Sequence, residues 1–260
     1  MQPVTVCRAD GIATVTLQRP ERKNALTRAM VDELRTQLEE IGRRREDRVL
    51  VLTGAGGAFC SGADLTDSEG PALGDPAAAL EFVRRVGDVA LALHRVHKPT
   101  IARVDGDAVG AGLGLALGCD LIVASDRARF SMIFTRRALS PDNGTSWLLP
   151  RLVGMARAKE LAFFGEVVGA EEARRLGLVN RVVPVSELDD VVGTWARRLA
   201  AGPALALSMT KSLLHSAWSV SLAEAVELEA QCQAANIAGA DTKEAISAFL
   251  ERREPRYARP

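Results

Sequence analysis

Apolar and polar residues alternate over positions 4–8 and again over 12–18, with Asp10-Gly11 between the two runs. Alternation at a period of two around an Asp-Gly pair predicts a β-hairpin. Past Pro20 the period lengthens. Met30, Leu34, Leu38 and Ile41 recur at helical spacing, which predicts an amphipathic helix running from an N-cap at Thr27 to about Arg45. The unbroken apolar run Val49-Leu50-Val51-Leu52 reads as a buried strand, closed by the glycine-rich turn at 53–57.

Residues 66–76 carry no period and are rich in Gly, Pro and Asp, so they read as a mobile loop. The pattern then predicts a helix over 77–97, a strand over 100–104, a helix starting near Gly110 and a buried strand over 121–124. Beyond about Asn143 it is almost wholly helical, interrupted by a short strand within 178–183. Ser186-Glu187-Leu188-Asp189 and Asp241-Thr242-Lys243-Glu244 resemble capping boxes, and Gly202-Pro203 opens a further helix. Strands separated by helices and followed by a helical tail predict an α/β body over residues 1–200 with a helical module over 201–260. Apolar faces on the tail helices can pack on the body or on another subunit.

Composition narrows the partners. Lys plus Arg equals Asp plus Glu at 33 each, so no net field favours nucleic acid or an anionic membrane surface. The Arg43-Arg44-Arg45 run is flanked by Glu39, Glu40, Glu46 and Asp47 and reads as a solvated helix end. Cys7, Cys60, Cys119 and Cys232 form no CxxC pair, which argues against a zinc site or a disulfide framework and for a reducing compartment. No apolar run approaches the ~20 residues that span a bilayer. The first residues lack the basic-then-apolar pattern of a signal peptide, and the expectation is a cytoplasmic protein.

Several familiar chemistries are poorly supported. Gly112, Gly114 and Gly118 imitate a dinucleotide fingerprint but miss its spacing, and close packing of a helix on a sheet also explains them. His94, His97 and His215 lack further ligands at metal-binding intervals, so no metal is expected and helix-end or packing roles are. Ser61 lies outside any G-x-S-x-G elbow. What remains are two glycine-rich stretches, residues 59–65 and 104–114. Each can aim a backbone N–H, at Ala63 and at Ala111, toward one oxygen and stabilise an oxyanion there.

Residues 17–26, 58–65, 104–120, 141–154, 169–183 and 248–255 resemble the enoyl-CoA hydratase/isomerase, or crotonase, family in order along nearly the whole chain. The resemblance implies an α/β spiral of ββα units with a C-terminal helical trimerisation module. It implies an acyl-CoA thioester substrate, a homo-oligomer (trimer or dimer of trimers), and no cofactor beyond the coenzyme A that the substrate carries. Carried over position by position, the amides that hold the thioester oxygen fall at Ala63 and at Ala111, where Gly is usual, on the segment that Gly110 opens. Ser61, Ala63 and Leu65 match backbone around the CoA adenine. Arg22 and Lys23 match the segment beside the CoA phosphates, though plain surface charge also explains them. Phe249 and Arg252 match positions that reach a neighbouring subunit's CoA.

Hydratases of the family use two glutamates; the matching positions here are Gly114 and Phe134, and neither can carry a proton. Asp142, in Pro141-Asp142-Asn143-Gly144, matches the position where isomerases of the family hold their single acid/base. The stretch from Pro141 to Gly154 particularly resembles the ring-epoxide phenylacetyl-CoA isomerase branch. An Asp just ahead of a helix is also a favoured N-cap, so Asp142 has two readings. Met132, Ile133, Phe134 and Trp147 are expected to make the site apolar and to raise the aspartate's basicity by desolvation. The expected activity is an enoyl-CoA isomerase. A hydratase with another residue set and a catalytically silent acyl-CoA-binding protein are the alternatives.

Overall fold

The computed structural model describes residues 2–67 and 74–257. The expected mobile loop at 66–76 therefore falls, for residues 68–73, outside the described residues. Strands β1 (Val4–Ala9) and β2 (Ile12–Leu17) form the antiparallel hairpin, turning at Asp10 and Gly11 with φ of 52° and 79°. Helix α1 (Arg28–Arg43) starts where the sequence placed it, because the Thr27 hydroxyl accepts the Met30 N–H. It buries Met30, Val31, Leu34, Leu38 and Ile41, one apolar stripe.

Next come β3 (Val49–Gly54), α2 (Pro76–His94), β4 (Thr100–Val104), β5 (Asp107–Val109), α3 (Ala111–Leu117), β6 (Leu121–Ser125) and β7 (Arg129–Ser131). After a 3-10 turn at Ile133–Arg137 come α4 (Thr145–Val153), α5 (Met155–Phe164), β8 (Val167–Gly169), α6 (Ala170–Arg175) and β9 (Arg181–Val183). The chain ends in α7 (Leu188–Ala200), α8 (Ala204–Ser216), α9 (Leu222–Ala238) and α10 (Ala240–Leu250).

Six strands form the main sheet in the order β1-β2-β3-β4-β6-β9, parallel except for the hairpin. β5, β7 and β8 form a second, smaller sheet. The continuous apolar run of β3 follows from burial on both faces. Leu50 and Leu52 join the core beneath α1, α2 and α3, whereas Val49 and Val51 pack with Leu188, Val192, Ala196 and Ala200 of α7.

The tail differs. Helix α9 has no buried residue, α8 only Lys211 and α10 only Ala248. Among the described residues no helix is long and apolar enough to cross a membrane.

Neither expected capping box forms. Helix α7 is preceded by a 3-10 turn at Val185–Glu187, so Ser186 sits before the helix start, and α10 opens at Gly239 with no side-chain cap. Thr242 instead donates to the Asn236 carbonyl, and Glu244 pairs with Arg253. The capping box present is Ser221 with Glu224, at the start of α9. Helix α2 stops at His94 rather than at 97, because the chain leaves the helix at Arg95, its C-cap, and runs on to begin β4 at Thr100.

Candidate active site

Residues 58–65 run between two other segments. On one side, the Phe59 and Cys60 N–H groups donate to the Asp107 carbonyl at 3.1 and 2.8 Å, and Val109 N–H donates to the Cys60 carbonyl at 2.9 Å. On the other, Leu26 bridges Ala63 in parallel, with Leu26 N–H on the Gly62 carbonyl at 2.8 Å and Asp64 N–H on the Leu26 carbonyl at 2.9 Å. Gly62 has φ +98°, and a Cβ there would lie 3.0 Å from the Val109 carbonyl and 3.6 Å from the Ala111 amide nitrogen. The two stretches singled out in the sequence therefore meet.

Gly112 allows the approach, since a Cβ on it would collide with the Cys60 carbonyl. Ala111 is the first residue of α3, so its N–H lies outside the helix's own hydrogen bonds. Neither the Ala63 nor the Ala111 N–H has a partner among the described residues. The structure brings together two unpaired donors, as an oxyanion site requires.

The segment read as the CoA side is attached to the same place. Ser61 N–H donates to the Lys23 carbonyl at 3.0 Å and its hydroxyl to the Arg22 carbonyl at 3.3 Å. Asn24 anchors that turn, donating to the Ala55 and Ala58 carbonyls and accepting the Arg19 N–H. Arg22, Lys23, Ser61 and Ala63 thus form one neighbourhood, with Leu65 exposed at its edge. The Lys23 ammonium is paired with Asp107 at 2.9 Å, and Arg129 holds the other oxygen of that carboxylate. Burial would raise the Asp107 carboxyl, but these two cations outweigh it and hold it below the usual range.

Asp142 stands apart from the other acids. Helix α4 is capped not by Asp142 but by Gly144, at φ 74°, with no side-chain cap bond. The main-chain carbonyl of Asp142, not its carboxylate, accepts from the Thr145 N–H at 3.0 Å and hydroxyl at 2.7 Å. This corrects the capping reading: a glycine in the left-handed region shifts the helix start two residues along and frees the side chain. Carboxylate Oδ1 is buried with no hydrogen-bond partner among the described residues, and burial pushes the carboxyl up to about 6.

The residues beside Gly110, at the start of α3, are partly apolar. Phe134 is buried, and a Cβ on Gly110 would touch Ile133 and the Phe134 ring at 3.4 and 3.8 Å. Met132 is also buried. Trp147 is more open; its ring meets His94 edge-on at 5.6 Å and lies beneath the Arg151 guanidinium at 3.8 Å. Phe249, 81% exposed on α10, and Arg252, at φ 55° beyond it, belong to the C-terminal module. The Cys60 and Cys119 thiols are pushed up to about 12 by burial, which makes them poor nucleophiles.

Sequence reasoning missed Asn143. Its side chain is 3% exposed, its Nδ2 donates to the Ala111 carbonyl at 2.8 Å, and its φ is 48°. Pro-Asp-Asn-Gly reads from sequence as a turn, in which an Asn needs no partner.

Three comparisons bear on the family. The sequence profile of the enoyl-CoA hydratase/isomerase family matches residues 8–260. A "Probable enoyl-CoA hydratase" of Rhodobacter capsulatus is 42% identical, with 96% of this chain and 95% of that protein covered. The 1,2-epoxyphenylacetyl-CoA isomerase of Escherichia coli is 39% identical, covering 95% of each. The crystal structure of a Streptomyces coelicolor protein, provisionally described as an enoyl-CoA hydratase, superposes with a TM-score of 0.95. It is 44% identical and covers 99% of this chain and 94% of that one. Both chemistries appear among the relatives' names, and the fold, the amide pair and the family match point one way. The chain belongs to the enoyl-CoA hydratase/isomerase, or crotonase, family of acyl-CoA enzymes.

Proposed function

We propose that the protein is an enoyl-CoA isomerase that moves a double bond from the 3- to the 2-position of an acyl-CoA through a thioester enolate. The observation that carries this reading is the Asp142 carboxylate, whose Oδ1 is buried with no hydrogen-bond partner among the described residues and whose carboxyl is pushed by burial up to about 6. A base near the working pH takes a carbon-bound proton and gives it back with little penalty in either direction. The Ala63 and Ala111 N–H groups hold the thioester oxygen, so negative charge developing there as the α-proton leaves is stabilised. Asp142 removes that proton from C2, and the electron pair delocalises onto the thioester oxygen and C4. The same carboxyl then delivers the proton to C4, and C2–C3 becomes the double bond. Atoms and charge balance with one acid/base, and no redox cofactor is involved; coenzyme A arrives as part of the substrate.

Hydration requires a second group to activate water. At the two positions that match the family's glutamates stand Gly114 and Phe134. The relative named as a hydratase supports the competing reading, which one assay separates. Given 2-enoyl-CoA and 3-enoyl-CoA together, the enzyme is expected to convert the 3-isomer without accumulating 3-hydroxyacyl-CoA. Rapid formation of the hydroxy product defeats the isomerase assignment. Binding of acyl-CoA with no exchange of the α-proton for deuterium supports a silent binding protein instead.

Assembly is part of the proposal. Leu222, Val226, Ile237, Phe249 and Leu250 of the C-terminal module are more than half exposed within one chain. A second copy of this chain is the expected cover, as a trimer or a dimer of trimers. Phe249 and Arg252 would then reach a neighbour's CoA. Sedimentation of the purified protein as a monomer at micromolar concentration counts against this.

A further inference from the structure

We propose that Asn143 is a positioning residue that fixes the base Asp142 relative to the Ala111 amide and, by filling the space over Gly114, keeps a second proton carrier out of the site. This rests on the isomerase reading of that site. Four observations converge on it. Asn143 follows the base directly in the chain, and its Nδ2 donates to the carbonyl of Ala111, the residue whose N–H faces the oxyanion position, at 2.8 Å. A Cβ on Gly114 would come within 2.8 Å of Asn143 Nδ2, 2.9 Å of its carbonyl oxygen and 3.0 Å of its Cβ, so no side chain fits there while Asn143 keeps this pose. Its backbone is held at φ 48°, in the left-handed region that Asn enters more readily than other non-glycine residues. Finally, Asn143 Oδ1 is buried without a hydrogen-bond partner among the described residues. A buried amide that keeps an unanswered acceptor is a poor choice for fold stability, whereas a role in geometry accounts for it.

The bond from Asn143 ties together two elements. One is the turn that carries the base; the other is the start of α3, which carries an oxyanion donor. Proton abstraction depends on their separation, and errors of about 1 Å can lower rates on the order of 100-fold. Gly114 and Asn143 therefore act as a pair: the first must stay bare for the second to reach Ala111.

The test uses the full-length enzyme with 3-enoyl-CoA and deuterium exchange at the α-carbon. Asn143→Gly removes the amide while accepting φ 48° without strain. It is expected to lower kcat roughly 10- to 100-fold with KM changed by less than about threefold, and to shift the acid limb of the pH profile downward as water reaches Asp142. Gly114→Ala in the parent is expected to displace Asn143 and lower kcat similarly, and to do less further harm in the Asn143→Gly background, where only the close approach to the residue-143 main-chain carbonyl remains. A folded Asn143→Gly enzyme with parental kcat and pH profile overturns the proposal. So does an equal loss from Gly114→Ala with and without Asn143, which would make that loss independent of the pair. If Asn143→Gly fails to fold, parental kcat in Gly114→Ala alone still overturns it. A parent enzyme that neither exchanges the α-proton nor isomerises refutes the underlying isomerase reading instead, an outcome visible before any variant is made.

Discussion

Asp120 and Asp142 are both partly buried, one just ahead of β6 and the other just ahead of α4, yet their surroundings differ. Asp120 is fully answered: the Thr100 N–H and hydroxyl donate to Oδ2 at 2.8 and 2.9 Å, the Lys211 ammonium lies 2.8 Å away, and His215 Nε2 lies 3.5 Å from Oδ1. Burial pushes this carboxyl upward, but hydrogen bonds from His215, Lys211 and Thr100 outweigh it and hold it below the usual range. Asp142 has the burial without the partners, and its carboxyl moves the other way, up to about 6. Desolvation acts on both, and the complement of donors decides the sign. The same residue type ties α8 to the sheet in one place and is left in the other with the raised carboxyl that the proposed mechanism uses as its base.

Exchanging the features of the two sites should therefore have opposite consequences. The largest is expected for Asp142→Asn, which keeps the shape and removes the base: turnover of 3-enoyl-CoA should fall about 10³-fold or more. Parental turnover would remove Asp142 from the mechanism. Asp120→Ala should instead leave turnover per folded enzyme close to the parent and destabilise the chain by about 3 kcal/mol, because the buried Lys211 loses its charged partner. Chemical denaturation measures this; an unchanged midpoint would mean that the Asp120 cluster holds little together.

Smaller, and opposite in sign, is the effect of Asp142→Asn on stability. The folded carboxyl titrates near 6 and the unfolded one near 3.9, so the fold binds the proton more tightly. Ionisation of Asp142 thus costs the folded state nothing below about pH 4 and up to about 3 kcal/mol above pH 6. Asp142→Asn should raise the denaturation midpoint at pH 8 and leave it nearly unchanged at pH 4. A variant less stable than the parent at pH 8 contradicts the desolvated acid. Least in size is the rate profile itself, in which kcat/KM should fall about tenfold per unit as pH drops below about 6, where the base of the free enzyme becomes protonated. A flat profile from pH 7 to 4.5 would place the titrating group elsewhere.

How much of this the sequence disclosed depends on how local the cause was. The hairpin at Asp10-Gly11 and the Thr27 cap of α1 are set by residues within a few positions of each other, and both were legible. Strands β5, β7 and β8 have three residues each, too short for a period to show, and they exist only because the second sheet pairs distant segments. The amide pair was visible as glycine spacing, since only glycine suits Gly62 and Gly112. Whether the Asp142 side chain caps α4 was not visible. It turns on the left-handed backbone at Asn143 and Gly144, which sets where α4 begins and which way the carboxylate is left. Asn143 was hidden for the same reason: its partners, Ala111 and Gly114, lie about thirty residues away.

The bareness of α9 has a thermodynamic consequence. Seventeen residues of helix with none buried gain little from the body of their own chain, and a solitary helix of that length is marginal in water. With a second copy as its cover, its order follows mass action rather than the intrinsic stability of one chain. Dilution should then loosen the tail first, as early amide exchange in α9, while the six-stranded sheet stays protected. Folding of this chain would end not in an intramolecular step but in a collision, with a rate that rises with protein concentration.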